Sequence, residues 1–291
     1  MNKESYILIF ILLITQLITG QVSNKEKEAL LDIYNSTEGM YWTQTWDLNM
    51  PVSEWKGVWV DKNKVTGLVL FNNNLKGNIP ESIEDLEHLE VLNLAFNKLK
   101  GELPSSISNL ASLKSLNLEM NKIGGKIPEK IGNLTNLIKF VAFNNQLVGE
   151  ITESIGRMKE LKELNISRNN INGKIPNSIG NLAELVKLGL FENNLECKIP
   201  SEMGKLRKLE VLALADNKFF GEIPKEFEGL VSLRVLQLQN NKFDSFKSLE
   251  RMNSKQFLVL DFDEKKSSFK FKDIAKRKSR VADTEFEEDK D

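Results

Sequence analysis

The chain has 291 residues, with 40 Lys and Arg against 41 Asp and Glu, so its formal net charge at pH 7 is −1. This balance argues against a dedicated nucleic-acid-binding protein, which needs a basic excess to neutralise phosphates. The single cysteine, Cys197, excludes an intramolecular disulfide framework and a multi-cysteine zinc site. The single histidine, His88, leaves little material for histidine-dependent catalysis.

The N-terminal segment is a short polar start followed by an almost wholly apolar run from Tyr6 to Ile18. This run is shorter than the roughly 20 residues that span a bilayer as a helix. It fits a secretory signal peptide covering residues 1–20, with cleavage between Gly20 and Gln21. An uncleaved anchor is the alternative, because Ile18 stands where a small residue is usual. No later segment is apolar enough to span a membrane, so we expect a secreted or cell-surface protein, periplasmic in a bacterium.

Residues 21–64 are expected to cap the domain that follows. Ser23–Tyr34 is predicted to be an amphipathic helix, with Ser23 as its N-cap and Glu26 completing a capping box. All four tryptophans follow within a short stretch, and they either plug the end of the next domain or form a sugar-stacking platform: Trp42, Trp46, Trp55 and Trp59.

An asparagine recurs every 24 residues through most of the chain, which indicates a solenoid of repeats. The eight members are Asn73, Asn97, Asn121, Asn145, Asn169, Asn193, Asn217 and Asn241. Alternating apolar residues such as Leu92 and Leu94 before each asparagine suit a short strand with one buried face. The asparagine amide offers donors and an acceptor, so stacked asparagines can satisfy backbone groups in the turn after the strand.

The pattern LxxLxLxxNxLxGxIPxxIxxLxxL, as it stands from Leu113 to Leu137, resembles the plant-type 24-residue leucine-rich repeat. The resemblance implies an α/β repeat solenoid: a curved horseshoe with a parallel β-sheet on the concave face and irregular or 3-10 segments on the convex face. It also implies a binding scaffold in which the eight asparagines form a buried ladder. The match covers residues 65–248 as eight repeats, and residues 249–263 form a degenerate closing repeat.

The cap separates this chain from the usual plant receptors. The segment from Trp55 to Val60 resembles the N-terminal cap of plant repeat receptors, which places a disulfide cysteine near Val60, and no cysteine stands there. The chain therefore resembles the disulfide-free caps of secreted bacterial repeat proteins. Residues 264–291, a basic block followed by an acidic block, are predicted to be a disordered or transiently helical charged tail. Attraction of its basic half to a membrane or an anionic polymer is an alternative role.

The positions between the buried leucines vary from repeat to repeat while the frame does not. We expect them to project from the strands onto the concave face, where large apolar groups on a rigid scaffold are typical binding anchors. The interpretation without a ligand is that these side chains pack on each other. The predicted partner-binding residues are Phe71, Phe96, Met120, Glu119, Phe143, Arg168, Phe191, Glu192 and Asp216.

The sequence predicts a protein without its own chemistry, and therefore neither an enzyme nor the holder of a metal or cofactor. Cys197 stands in the glycine column of the repeat with no histidine near it in sequence, and His88 stands in a variable spacer. The expected partner is a protein or peptide, with no nucleic acid and no integral membrane span after signal cleavage. Carbohydrate recognition or inhibition of a polygalacturonase-type glycosidase is the alternative, because the repeat type resembles polygalacturonase-inhibiting proteins.

Overall fold

The structure is a computed structural model that describes residues 21–263, so the predicted signal peptide and charged tail lie outside the described residues. Within that range the chain forms a solenoid of short strands and 3-10 helices. Its strands, in chain order, are β1 (Val58–Asp61), β2 (Lys64–Val69), β3 (Lys76–Gly77), β4 (Val91–Asn93), β5 (Lys98–Leu99), β6 (Ser115–Asn117), β7 (Lys139–Val141), β8 (Val148–Gly149), β9 (Glu163–Asn165), β10 (Asn170–Gly173), β11 (Lys187–Gly189), β12 (Asn194–Leu195), β13 (Val211–Ala213), β14 (Phe220–Glu222), β15 (Val235–Gln237), β16 (Lys242–Ser245) and β17 (Val259–Asp261).

One ten-stranded sheet runs along the solenoid in the order β1-β2-β4-β6-β7-β9-β11-β13-β15-β17. From β2 onward neighbouring strands are parallel and offset by one repeat, so that Leu116 faces Phe140 and Phe140 faces Leu164. These three inward side chains are fully buried, in one core that runs through all the repeats. The solenoid predicted from the 24-residue spacing, and the α/β architecture that the family resemblance implies, are confirmed.

The convex side of most repeats is a 3-10 helix that begins just after the proline of the repeat. Where Thr152 replaces that proline, its hydroxyl accepts the backbone N–H of Ser154 and caps the helix instead. Successive helices pack so closely that a Cβ on Gly156 would lie 2.5 Å from the carbonyl oxygen of Ser178. The 3-10 helices are Gly39–Tyr41, Val52–Glu54, Glu81–Asp85, Ser105–Asn109, Ile131–Asn133, Glu153–Arg157, Asn177–Asn181, Ser201–Lys205, Lys225–Gly229, Lys247–Arg251 and Ser254–Gln256.

A second hydrogen-bond ladder follows the ten-stranded sheet along one flank. It joins the short strands β3 with β5, β8 with β10 and β12, and β14 with β16. The glycine column of the repeat lies here with positive φ, as in Gly101 at 77° and Gly149 at 78°. Cys197 occupies the same column with a φ of 71°, a conformation that favours glycine. The cysteine therefore adopts the backbone of the residue it replaces.

A buried carboxylate helps to tie the N-terminal cap to the first repeat. Helix α1 (Asn24–Ser36) begins at a capping box in which Ser23 and Glu26 bond each other's backbone N–H groups. The Oε1 atom of Glu26 also accepts the N–H of Val65 on β2 at 3.0 Å. Strand β1 then pairs antiparallel with β2 and covers the N-terminal edge of the sheet.

Candidate binding face

The outward positions of the sheet lie six and four residues before each of the eight asparagines, which we call the ladder asparagines. In the repeat of Asn97 these are Val91 and Asn93, on either side of the inward Leu92. Each strand ends there, and the chain then enters a turn that brings the asparagine side chain inward. The outward side chains of successive strands stand about 4.8 Å apart, so each position forms a column along the concave face.

The residue directly before each ladder asparagine lies in the turn and not on the strand, which corrects the placement expected from the sequence. Its φ is positive in every repeat, including those of five predicted binding residues: Phe96 (56°), Met120 (55°), Arg168 (54°), Glu192 (53°) and Asp216 (55°). This left-handed conformation costs about 1–2 kcal/mol for a side chain other than glycine. The neighbouring repeat supports it, since the N–H of Phe96 donates to the carbonyl of Glu119 at 2.9 Å.

The ladder asparagines are buried and bond the backbone of two repeats. Oδ1 of Asn169 accepts the N–H of Leu147 at 2.9 Å, and its Nδ2 donates to the carbonyls of Ala142 at 2.9 Å and Ile166 at 3.0 Å. The same pattern recurs from Asn97 to Asn241, whereas the first member, Asn73, bonds Gln44 of the cap instead. These bonds fix the turn that carries the variable side chains.

Two aromatic groups occupy the turn edge of the concave face. In the first, the rings of Phe71 and Phe96 lie 5.2 Å apart, and the side chains are 43% and 38% exposed. Ala95 between them is fully buried. Met120 continues this group at 37% exposure, and Nδ2 of Asn144 donates to its sulfur at 2.8 Å. Large apolar surface is therefore presented to solvent at the N-terminal end of the face.

The second group holds a cation between two rings. The guanidinium carbon of Arg168 lies 5.6 Å from the ring centre of Phe143 and 5.8 Å from that of Phe191. Its Nε donates to Oε2 of Glu192 at 2.9 Å. Ser167 beneath the group is buried, and both rings are half-buried. Packing between neighbouring side chains, the interpretation without a ligand, thus accounts for much of the surface of this second group.

The remaining predicted residues also have neighbours along the face. Oε1 of Glu119 accepts from Nδ2 of Asn117 at 3.1 Å, and Oδ1 of Asp216 accepts from Nδ2 of Asn240 at 2.7 Å. Asn117 uses its own Oδ1 to accept the backbone N–H of Glu119. Seven of the nine predicted residues therefore belong to the two aromatic groups. The other two, Glu119 and Asp216, each bond an asparagine on the same side of the solenoid.

Sequence reasoning missed a row of charges at the start of the central strands. Lys139, Glu163 and Lys187 occupy the outward position six residues before the asparagine and lie side by side in register. Nζ of Lys139 is 3.7 Å from Oε2 of Glu163, whose side chain is 13% exposed. Strand alternation carries the signal for this row, because residues six and four before the asparagine lie on the same face of a strand.

Of the four tryptophans, all of them within the described residues, Trp59 alone lies on the surface. On β1 it faces Gly67 of β2, and its ring covers that glycine so closely that a Cβ there would lie 2.5 Å from the indole Cε3. The side chain is 52% exposed. The other three tryptophans are buried against each other, with Trp46 stacked on Trp55 and edge-to-face with Trp42. Each of the three donates its indole N–H to a backbone carbonyl. These three rings pack the cap and present no open face to a sugar.

The titratable groups with shifted pKa values lie away from the concave face. The bond to Glu87, followed by that to Asp85, raises the pKa of Lys25 on helix α1, and Lys25 in turn lowers the pKa of Glu87. On the convex side, the side chain and backbone N–H of Ser106 lie against Glu81 and lower its pKa. None of these groups faces the aromatic or polar side chains of the binding face.

The candidates for chemistry are isolated in the fold. Cys197 has a free, half-buried thiol on the flank, and His88 is exposed on the approach to a strand. Residues 21–263 contain no group of three His, Cys, Asp or Glu placed to hold a metal ion. In the same part of the chain, no helix has the length and apolar character needed to cross a membrane.

Comparison with known proteins identifies the family. A family profile described as "Leucine-rich repeat region" matches residues 68–175 and 137–274, which is well over half of the chain. The protein belongs to the leucine-rich repeat family. None of the curated protein sequences compared with it is a significant match.

Solved structures of this family share the fold. PEPR1 in complex with AtPEP1 has a TM-score of 0.77 and 29% identity over 83% of this chain. The plant peptide hormone receptor RGFR1 in complex with RGF2 has a TM-score of 0.63 and 32% identity over 65%. The leucine-rich repeat protein LIC12759 of Leptospira interrogans has a TM-score of 0.56 and 32% identity over 67%. The leucine-rich repeat chain described here covers 36%, 30% and 47% of those chains, so it spans about a third of the two plant receptors.

Proposed function

We propose that this leucine-rich repeat protein is a secreted or cell-surface scaffold that binds a protein or peptide partner through its concave face. The observation that carries the proposal is a rigid backbone with side chains that differ from repeat to repeat at fixed positions. Exposed aromatic groups on such a backbone make good binding anchors, because little conformational entropy is lost when they are covered. The predicted partner-binding residues, Phe71 to Asp216, all lie on or beside this face.

The relatives support a peptide or protein as the partner. RGFR1 is described as a peptide hormone receptor, and PEPR1 was solved with AtPEP1 bound. The binding surface of this chain also carries both apolar groups and paired charges, which suits a polypeptide with mixed side chains. An enzymatic role has no support in the arrangement of Cys197 and His88.

The finer assignments belong to the same proposal. We assign the chain to the plant-type 24-residue subclass because the asparagine spacing is constant from Asn73 to Asn241. Its cap carries no cysteine, which favours grouping the chain with the disulfide-free bacterial members. We also propose the division into a signal peptide (1–20), a cap (21–64), eight repeats (65–248), a closing repeat (249–263) and a tail (264–291).

Carbohydrate recognition, including glycosidase inhibition, remains the competing function. A sugar site in proteins commonly needs an open aromatic face, and Trp59 is the one tryptophan among the described residues that offers one. A glycan would then be expected to bind at the cap end and to ignore the central repeats. A protein or peptide partner is expected to depend on several repeats.

The test blocks the concave face with two long side chains. Ser115 and Val211 are half-buried and project outward from strands β6 and β13, so Ser115→Arg with Val211→Arg fills the face without entering the core. Wild type and variant are panned against a random dodecapeptide library on phage and probed on a glycan array. We expect peptides that bind wild type at least tenfold more tightly than the variant, measured by calorimetry.

The matched control places the same new side chains on the opposite surface. Ser105 and Ser201 are exposed at the start of two convex 3-10 helices, so Ser105→Arg with Ser201→Arg should leave peptide binding unchanged. Equal loss in both double variants would contradict a concave site. Binding of glycans with no selected peptide would replace the proposal with the carbohydrate function.

A further inference from the structure

The N-terminal end of the concave face forms a trough between two aromatic rims. One rim is Trp59, which lies over Gly67 on the cap strand β1. The other rim is the pair of Phe71 and Phe96 at the turn edge. Phe71 lies two residues beyond the end of β2 and four beyond Gly67, so the Cα atoms of Gly67 and Phe71 are at most about 14 Å apart.

The floor of this trough is uncharged. It consists of Val69 and Val91 with Asn93 between the rims, on the first two strands of the repeat array. Oδ1 of Asn93 accepts the backbone N–H of Ala95 at 3.1 Å. Its Nδ2 makes no hydrogen bond to other described residues, so it is a donor available to a ligand. The floor thus offers apolar contact and one polar group that can bond a carbonyl.

The aromatic side chains of the trough are more exposed than those on the central part of the face, which contact Arg168. Further along, Arg168 is held by Phe143, Phe191 and Glu192, and Lys139 pairs with Glu163. In the trough the large side chains are 52%, 43% and 38% exposed, for Trp59, Phe71 and Phe96 respectively. The greatest unused apolar surface of the concave face is therefore at its N-terminal end and includes a residue of the cap.

We propose that this trough binds an extended peptide segment through two consecutive large apolar residues, one stacking on Trp59 and the next packing on the exposed surfaces of Phe71 and Phe96. The inference rests on the proposed function and names the part of the partner that anchors it. Neighbouring side chains of an extended peptide point in opposite directions, which matches two rims facing each other across the backbone. Nδ2 of Asn93 donates to a peptide carbonyl between them. A charged residue is disfavoured between the two rims, because the floor residues Val69, Val91 and Asn93 supply no counter-charge to offset its desolvation.

The rims are preorganised for this ligand. Phe96 is fixed in its left-handed turn by the backbone bond to Glu119, and Trp59 is fixed by the antiparallel pairing of β1 with β2. The trough runs from β1 to Met120, across three spacings between neighbouring strands, or about 14 Å. This length accommodates about four extended residues, so two anchors and their flanking residues fill it.

The experiment uses the full chain labelled with 5-fluorotryptophan and peptides selected from a random dodecapeptide phage library. We expect the enriched peptides to contain adjacent large apolar residues. On titration, the fluorine resonance that disappears in Trp59→Phe should shift, and the three resonances of the buried tryptophans should stay in place. This measurement needs no destabilising variant.

Affinities of the same peptides then locate the anchor. Phe71→Ala and Trp59→Ala should each weaken binding at least tenfold. The control Phe220→Ala removes an equally exposed ring, at 44%, from the flank strand β14, and should change the affinity less than twofold. Thermal unfolding of each variant verifies that it is folded.

Three outcomes overturn the inference, and they are distinguishable from one another. Peptides that bind but leave the Trp59 resonance unshifted refute the trough and leave the proposed function standing. Peptides whose binding is lost only in Phe143→Ala with Phe191→Ala move the anchor to the second aromatic group. A library that yields no binding peptide contradicts both the trough and the proposed function.

Discussion

The asparagine ladder makes a quantitative prediction at Asn169. The substitution Asn169→Ala leaves the buried N–H of Leu147 without its acceptor. It also removes one hydrogen bond from each of the carbonyls of Ala142 and Ile166, which keep their bonds from Asn145 and Asn193. An orphaned buried amide costs about 1–3 kcal/mol, and each lost net hydrogen bond costs about 1 kcal/mol. We therefore expect the free energy of unfolding to fall by about 3 kcal/mol.

Urea denaturation followed by circular dichroism measures this loss. Since 1 kcal/mol moves the Tm of a domain of this size by roughly 2–4 °C, the same variant should melt roughly 6–12 °C lower. The matched control is Asn170→Ala, one residue along, where the side chain is exposed and the cost should stay under about 0.5 kcal/mol. Asn169→Asp keeps an acceptor for Leu147 but turns a carboxylate oxygen toward two carbonyls, so it should be no more stable than Asn169→Ala.

A loss below about 0.5 kcal/mol in Asn169→Ala, or an equal loss in Asn170→Ala, would refute the reasoning. Either result would mean that the turn is held by its backbone bonds to the next repeat. In that case the constant asparagine would have no structural account.

Three further predictions concern positions outside the ladder. Cys197→Gly should raise the free energy of unfolding by about 1 kcal/mol in urea denaturation, because a φ of 71° is strained for a residue with a Cβ; a decrease would show that the thiol makes a stabilising contact. Glu26→Gln should lower stability by about 1–2 kcal/mol, because the buried carboxylate that bonds Val65 and the start of the helix loses an acceptor, and hydrogen exchange should then rise first in the cap. The hydrogen bonds from Ser106 lower the pKa of Glu81, so the contribution of Glu81 to the free energy of unfolding is present above the ordinary carboxyl pKa and is lost as the pH falls. Glu81→Gln should therefore make the free energy of unfolding, measured in urea at several pH values, fall less steeply on the acid side.

The repeat frame was predictable because it is dictated by burial. The spacing of Leu92 and Leu94 gives a strand with one buried face, and the 24-residue period sets which strands pair. The capping box of Ser23 and Glu26 was predictable for a different reason, because both of its residues are close together in the sequence. The second contact of Glu26, to Val65 on the sheet, joins residues 39 apart and has no local pattern.

The binding face was harder to predict because each strand ends four residues before its ladder asparagine, while the repeat pattern continues up to the asparagine. The residues one before each ladder asparagine, such as Phe96 and Arg168, look like strand positions in the sequence. The left-handed turn places them at the edge of the sheet instead. The stacking of Arg168 between rings two repeats apart depends on side-chain reach and not on spacing. Trp59 was assigned with the other tryptophans because nothing in the sequence distinguishes the outward face of β1.

The left-handed residue before each ladder asparagine has a consequence for how such a surface changes over generations. Because the neighbouring repeat fixes its backbone, this position accepts a phenylalanine, a methionine, an arginine or an acid with nearly the same φ. A point mutation there alters what a partner meets without moving the chain. Each duplicated repeat would add one such site, so the array can gain new recognition positions while every repeat keeps the same buried frame.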